Sequence, residues 1–294
     1  MRSRPLYATA AYAQAFGGQI IDVPEWRTAL LRRAIADTGL EDARGCYPLS
    51  LIEPEADLMA GLQRLRTAKL VSVSLVPDPI TGPGRQNLAS AFPICRPFKT
   101  HYVIDRASES VRLPRTHLRW IRKALRECDI RIVPFSASLG DWIRLYGFAI
   151  ERHAISGLQK FSPEYFNALA QLPGLSAIAA FAGREIVAMA LWVQNAEVVY
   201  YHLGASDHRG YESRAMYGIF ATAQEHFSSA RLFHLGGAAG LTRDENDGLA
   251  RFKRGFANRE VEAYFCGAVL DPERYAALSA GREQAAFFPA YRES

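Results

Sequence analysis

Residues 232–256 read L-F-H-L-G-G-A-A-G-L-T-R-D-E-N-D-G-L-A-R-F-K-R-G-F, and the order of elements within them decides the fold. Leu232-Phe233-His234-Leu235 is an apolar run of the length of a buried strand. Gly236-Gly237 ends it, and a polar connection follows with Arg243, Asp244, Glu245, Asn246 and Asp247. Residues 248–256 then show a short helical pattern closed by glycine at the C-terminal side. Leu249, Phe252 and Phe256 are three and four residues apart and share one face, so Lys253 rides on a segment anchored by large apolar neighbours. A lysine in that setting has two readings: a solvated charge above a core stripe, or a cation placed for chemistry.

Upstream, residues 175–182, 185–194 and 197–203 are three strand-like runs. Gly183-Arg184 and Asn195-Ala196 lie between them as tight connections, which makes an antiparallel meander. A short strand at 130–134 precedes it, then a helix at 141–153 with Trp142, Leu145, Tyr146 and Ala149 on one side. Ser162-Pro163-Glu164 is a helix start: a cap residue, proline at the first position and an acid in the first turn. A helix is expected over 212–228. Downstream, 261–270 reads as a strand and Asp271-Pro272 starts a last helix through Ser279. The tail at 281–294, with Phe287-Phe288-Pro289, is expected to pack back onto the body.

The first half is less regular. Residues 7–16 suit a helix ended by Gly17-Gly18, 19–23 a short strand, and 26–35 either state. Residues 47–52 look extended, and 55–68 place Leu58, Leu62 and Leu65 at helical spacing. The clearest strand of this half is 69–77, where Val71, Val73 and Leu75 alternate with serines. Residues 78–91 read as a Pro- and Gly-rich loop, and 98–105 as a strand.

Residues 114–126, P-R-T-H-L-R-W-I-R-K-A-L-R, start with proline and carry two stripes. Leu118, Ile121 and Leu125 form an apolar one. Arg115, Arg119, Arg122 and Arg126 form a wholly basic one, widened by Lys123 and His117. Arginines at helical spacing without acidic partners suit phosphate oxygens, whether of a nucleic-acid backbone or of a diphosphate. The alternative is a solvated helix face.

The pattern L-G-G, an acidic linker and D-G-L-x-R-F-K-R-G-F resembles the signature of the Fem-like transferases. These are aminoacyl-tRNA-dependent enzymes in a branch of the GNAT acyltransferase superfamily. The resemblance runs from about residue 98 to 275 and is looser before that. It implies an α+β fold of two GNAT-like lobes, each a mostly antiparallel mixed sheet flanked by helices. The expected division is 1–128, ending in the basic helix 114–127, and 129–294 with the tail. The resemblance also implies that Lys253 stabilises charge during acyl transfer and that Phe252 helps form the site. The order of elements from residue 130 onward is the GNAT order. Members that modify lipid-linked precursors often carry a coiled-coil insertion, whereas this chain shows no heptads.

Two donors are conceivable. GNAT enzymes hold coenzyme A pyrophosphate on a glycine-rich turn before the long helix, of the form R/Q-x-x-G-x-G/A. Here Arg209 takes the first place, but Glu212 and Arg214 stand where glycine and glycine or alanine belong. A carboxylate there opposes a pyrophosphate, so an aminoacyl ester on tRNA is the expected donor and no cofactor is expected. The alternative is a coenzyme A or carrier thioester. No P-loop pattern is present. Tyr201, His202, Arg209, Gly236, Gly237 and Asp247 join the arginine stripe as candidate substrate-binding residues, with Lys253 and Phe252 as catalytic candidates. Tyr200 and Tyr201 point to opposite faces of their strand, so only one can face a cleft. Asp244, Glu245 and Asp247 lie near the motif, and His202 and Tyr201 end the third strand, so these are the groups considered for a base. His202 and His234 also read as hydrogen-bonded strand-end residues, and the role stays open.

Composition fits this picture without selecting it. The 294 residues are 49% hydrophobic and 22% charged, with a net charge of +5, ordinary for a folded chain with an anionic partner. No run of eighteen apolar residues could span a membrane, no leader is read, and the cytoplasm is expected. Cys46, Cys95, Cys128 and Cys266 lie far apart without a CxxC pair, so neither a zinc site nor a disulfide framework is expected. The acceptor is expected to be an amine on a peptide or nucleotide-linked precursor, and a monomer could function. A non-catalytic nucleic-acid binder using Arg115–Arg126 is the remaining alternative.

Overall fold

The computed structural model describes residues 4–108, 112–153, 160–238, 247–282 and 287–292. In chain order the first elements are α1 (Ala10–Gln14), β1 (Ile20–Val23), β2 (Thr28–Ile35), β3 (Leu40–Arg44), α2 (Leu58–Thr67), β4 (Ser72–Leu75), α3 (Arg85–Ala91) and β5 (Ile94–Asp105). Next come α4 (Arg115–Glu127), β6 (Asp129–Val133), α5 (Leu139–His153), α6 (Pro163–Leu169), β7 (Leu175–Ala182), β8 (Glu185–Asn195) and β9 (Val198–Ser206). The last are α7 (His208–Glu212), α8 (Ala215–His226), β10 (Leu232–Gly237), α9 (Gly248–Arg254), β11 (Arg259–Val269) and α10 (Pro272–Leu278).

These elements form two compact units, Met1–Lys99 with Val261–Ser294, and Thr100–Glu260. The chain thus passes between units twice, within β5 and within β11, rather than once after residue 128. The reason lies in strand pairing. Cys266 to Val269 of β11 pair antiparallel with Leu75 to Ser72 of β4, so the C-terminal strand completes the first unit's sheet. Helix α4 packs on α8, which places the basic helix in the second unit.

In the first unit β1, β2 and β3 are antiparallel, β3 and β4 parallel, and β4 and β11 antiparallel. Its core joins Trp26, Leu30, Leu62, Leu65, Val73 and Phe92 to Cys266 and Ala268. The carboxylate of Asp42 is fully buried there. It accepts from Arg33 Nε at 2.9 Å, Arg292 Nε at 3.0 Å and the Tyr291 hydroxyl at 3.1 Å. This network, with Phe288 packed on Tyr275, anchors the tail as expected. Cys95 and Cys266 are neighbours in this unit, with sulfurs 4.0 Å apart, a proximity that 171 residues of separation hide from the sequence.

In the second unit the strand order is β5-β10-β9-β8-β7-β6. Every pair is antiparallel except β9 with β10, which is parallel. Helices α4, α8 and α9 carry residues of one core with Ile104, Ile178, Trp192 and Phe233. Trp142 of α5 and Phe166 of α6 stack edge to face in a second aromatic group.

Several elements depart from the sequence reading. Residues 47–52 form no strand, and only Ser50 makes an isolated bridge, to Pro77. The expected loop at 78–91 contains α3, and β3 was not expected. The helix expected over 212–228 is α8, which starts at Ala215 because Arg214 takes a left-handed conformation with φ 60°, and the short α7 before it was not expected. Pro114 is the residue flanking α4 rather than its first turn. The apolar stripe of α4 does not form its buried face: Leu118 and Leu125 are 39% and 52% exposed. Instead α4 turns His117 and Ala124 inward, with Ile121 half-buried between them. Among the described residues, no helix is long and apolar enough to cross a membrane and no cluster of His, Cys, Asp and Glu could hold a metal.

Candidate active site

The parallel pairing of β9 with β10 runs from Val198↔Leu232 to Tyr200↔His234 and stops there. Both strands continue. β9 stays bonded to β8 as far as Ser206, and β10 to β5 as far as Gly237. From Tyr201 and Leu235 onward the two strands therefore part, and a gap opens between them. A shift of register between His234 and Gly236 and a left-handed Gly236, φ 73°, mark the divergence on β10.

Lys253 fills this gap. Only 5% of the residue is exposed. Its ammonium donates to the Gly237 carbonyl at 2.7 Å and lies 5.3 Å from the ring centroid of Tyr201. One strand thus supplies a carbonyl and the other a π face. Glycine at 236 permits the left-handed backbone that brings the strand end to the lysine; a Cβ there would sit in contact with the ammonium at 3.4 Å. Asp247 caps α9 by accepting from the Ala250 N–H at 2.7 Å, so it positions the helix that bears Lys253. The reading of Lys253 as a solvated charge above a core stripe does not fit this burial.

The motif's remaining residues hold the helix in place. Phe252 stacks edge to face on Phe220 and Tyr217, at 4.7 and 4.8 Å between centroids. Phe256 is fully buried. His117 of α4 lies 3.0 Å through Nε2 from the Phe252 carbonyl, an approach that requires Nε2–H to donate. Burial holds its imidazole below the usual histidine range. Gly255 exists for this ring: a Cβ at 255 would overlap the His117 imidazole. The glycine of F-K-R-G-F is thus a packing requirement for a histidine far away in sequence. Leu249, expected on the anchoring face, is exposed.

Lys253, Gly236, Gly237, Tyr201 and Asp247 are therefore brought together, and other candidates are not. Tyr201 faces Lys253, while Tyr200 and His202 point to the opposite face of β9. There His202 is 2% exposed and shares a 2.9 Å hydrogen bond with Tyr165. Burial pushes its pKa down to about 3, so the ring stays neutral, and its enclosed place on the far face, bonded to Tyr165, keeps it from acting as a base in the Lys253 gap. His234 lies on that same far face, 2.9 Å from His101. Arg209 forms an ion pair with Glu185 and donates to the Ala182 carbonyl at 3.2 Å. Arg115, Arg119, Arg122 and Arg126 are all exposed, on the side of α4 opposite His117 and Ala124. Asp244 and Glu245 lie outside the described residues.

Sequence reasoning missed a second feature. A cleft of about 590 Å3 is bounded by α4, the start of α8 and α9, and Trp120, Arg214, Tyr217, Arg251, Phe252 and Arg254 line it. His117 and Trp120 have the spacing of a helix face and could have been noticed. The arginines on the other side of α4 are the louder signal.

The turn that would hold coenzyme A pyrophosphate in a GNAT enzyme does not fit that group. The carboxylate of Asp207 caps α7, accepting from the Gly210 N–H at 2.9 Å, where a phosphate would need the same donor. The Asp207 N–H is itself bonded to Val187.

No family model matches the sequence, and no curated protein matches it significantly. Solved structures do share its fold. The C-terminal domain of a putative lysylphosphatidylglycerol synthetase from Agrobacterium fabrum superposes with a TM-score of 0.62 at 14% identity, over 97% of this chain and 93% of that one. FemX superposes with a TM-score of 0.62 at 14% identity, over 85% of this chain and 86% of its own. L-PGS from Bacillus licheniformis gives a TM-score of 0.56 at 12% identity, covering 90% of this chain and 93% of that one. The chain thus has the α+β architecture, with mixed sheets flanked by helices, that the Fem-like resemblance implied.

Proposed function

We propose that this protein is an acyltransferase that forms an amide by moving an amino acid from aminoacyl-tRNA to an amine acceptor. The observation that carries the proposal is the Lys253 ammonium, held in the gap between β9 and β10 by the Gly237 carbonyl. An ammonium buried in a low-dielectric gap exerts a strong field on any charge that develops beside it.

Aminolysis of an ester passes through a tetrahedral oxyanion. The acceptor nitrogen bonds to the ester carbonyl carbon, the bond to the ribose oxygen breaks, and a proton passes from nitrogen to that leaving oxygen. Lys253 stabilises the negative charge as it forms on the carbonyl oxygen or on the leaving ribose oxygen. The ester is already activated, so the step needs no nucleotide hydrolysis. His202 is excluded as base by its burial, and the role stays unassigned. The acceptor is an amine on a peptide or a nucleotide-linked precursor, as in cell-wall or natural-product peptides. Support comes also from the fold, shared with FemX and with a lysylphosphatidylglycerol synthetase domain. The thioester alternative is disfavoured by Asp207 at the would-be pyrophosphate turn.

The test is consumption of donor. Purified protein is mixed with a pool of labelled aminoacyl-tRNAs and a small-molecule extract, with free hydrolysis subtracted. Transfer of label into a soluble amide supports the reading, and consumption of acyl thioester in place of charged tRNA overturns it.

A further inference from the structure

The cleft between α4, α8 and α9 is not needed to place Lys253, yet it has the character of a binding site. Arg214, Arg251 and Arg254 line it, and no carboxylate does among the described residues. Two of the guanidiniums are pre-set. Arg214 lies 4.7 Å over the face of Trp120, and its own backbone is left-handed, a conformation a bulky residue adopts only where its surroundings hold it. Arg254 is held by Glu260 and by the Tyr102 hydroxyl, each at 3.2 Å. Arginine forks match phosphate oxygens. Three of them would suffice for a bare anion, but the other walls are aromatic: Trp120, Tyr217 and Phe252. Such π faces are what nucleobases stack on, and about 590 Å3 lies in the range of small-ligand pockets.

We propose that this cleft binds a phosphorylated nucleoside, with phosphate on Arg214, Arg251 and Arg254 and the base against Trp120. Two donors present that chemistry, the terminal nucleotides of an aminoacyl-RNA and the phosphoadenosine end of coenzyme A. The structure favours the RNA end, because α9 joins the cleft to Lys253. Arg251, Phe252 and Arg254 line the cleft, while Lys253 reaches Gly237. One short helix thus ties phosphate binding to the cation offered for chemistry. Assignment to the donor rests on the transferase reading; nucleoside-phosphate binding does not.

The cleft carries its own probe. Of the four tryptophans, Trp26, Trp142 and Trp192 are buried and Trp120 alone is partly exposed, so ligand quenching of intrinsic fluorescence reports mainly on Trp120. The full chain is titrated with adenosine, inorganic phosphate, AMP, coenzyme A and a 5′-phosphorylated RNA trinucleotide ending in CCA. Saturable quenching by AMP and the trinucleotide, with adenosine and phosphate each weaker by about tenfold or more, supports the proposal. Affinity for the trinucleotide should fall about tenfold in Arg251→Ala and in Arg214→Asn, the latter chosen because asparagine tolerates a left-handed backbone. Calorimetry with both variants confirms the loss without relying on the tryptophan, and circular dichroism confirms that they fold. Phosphate binding as tightly as AMP, or variants that bind the trinucleotide normally, would overturn the nucleoside site. Coenzyme A binding more tightly than the trinucleotide would overturn its assignment to RNA. Normal trinucleotide binding with no transfer from any charged tRNA would sink the transferase reading while leaving the cleft a nucleotide site.

Discussion

The Nζ of Lys253 and the carbonyl oxygen of Gly237 are 2.7 Å apart, across a gap that opens where β9 and β10 stop pairing. This bond aims a buried cation along the end of β10, and the left-handed Gly236 lets the strand come that close. Gly236→Ala places a side chain 3.4 Å from the ammonium on a backbone that alanine disfavours. The variant should lose about 1–2 kcal/mol of stability. Its transfer rate should fall further than the stability loss explains, read as a lower kcat in enzyme shown to be folded. Full activity in such a variant would mean that the geometry around Lys253 is not critical.

The His117 ring occupies the space of a side chain at 255. Gly255→Ala therefore overpacks the joint between α4 and α9 and should cost about 1–3 kcal/mol. Adding His117→Ala removes the obstruction, so the double variant should be more stable than the sum of the single changes predicts. Urea denaturation of the four proteins decides this; strict additivity would contradict the contact.

His202 predicts an acid sensitivity. Its folded pKa is pushed down to about 3 by burial, against about 6.5 in an unfolded chain. Between those values the unfolded state binds a proton that the folded state refuses, so stability falls as pH drops from 6.5 toward 3. The contribution is about 1.4 kcal/mol per pH unit. His202→Gln, which keeps a partner for Tyr165, should be less stable at pH 7 yet lose less between pH 6.5 and 4.5. Parallel stability curves for the two proteins would refute the assignment.

Asp42 is buried between Arg33 and Arg292. Asp42→Asn leaves two guanidiniums facing a neutral amide and should cost about 3–5 kcal/mol. The tail at 287–292 loses its anchor, so limited proteolysis should cut there first. A variant as resistant as the parent would show that the ion network does not hold the tail.

How much of this could be read from the sequence follows from the range of each interaction. The meander was legible because residues 175–206 are three strand-like apolar runs joined by the short turns Gly183-Arg184 and Asn195-Ala196. The caps Ser162 and Asp271 were legible because they act over three residues. Helix α3 was hidden by the prolines and glycines before it, and the start of α8 after Arg214 because nothing local marks a left-handed arginine. The F-K-R-G-F segment pointed to Lys253, but not to its partner 16 residues upstream. Nor could spacing show that Gly255 accommodates His117. The arginines of α4 drew attention to its outward side, and the aromatic cleft lies on the other.

The most direct test of the account is single-turnover transfer from labelled aminoacyl-tRNA to an amine acceptor, comparing the parent with Lys253→Met. Methionine preserves the length of the side chain and removes the charge, so the fold should survive. The account predicts a drop in the transfer rate of about 10²-fold or more, with binding of the uncharged tRNA nearly unchanged. Transfer at the parent rate in the folded variant would contradict it, and Lys253 would then be a buried strut rather than the cation that stabilises the reaction.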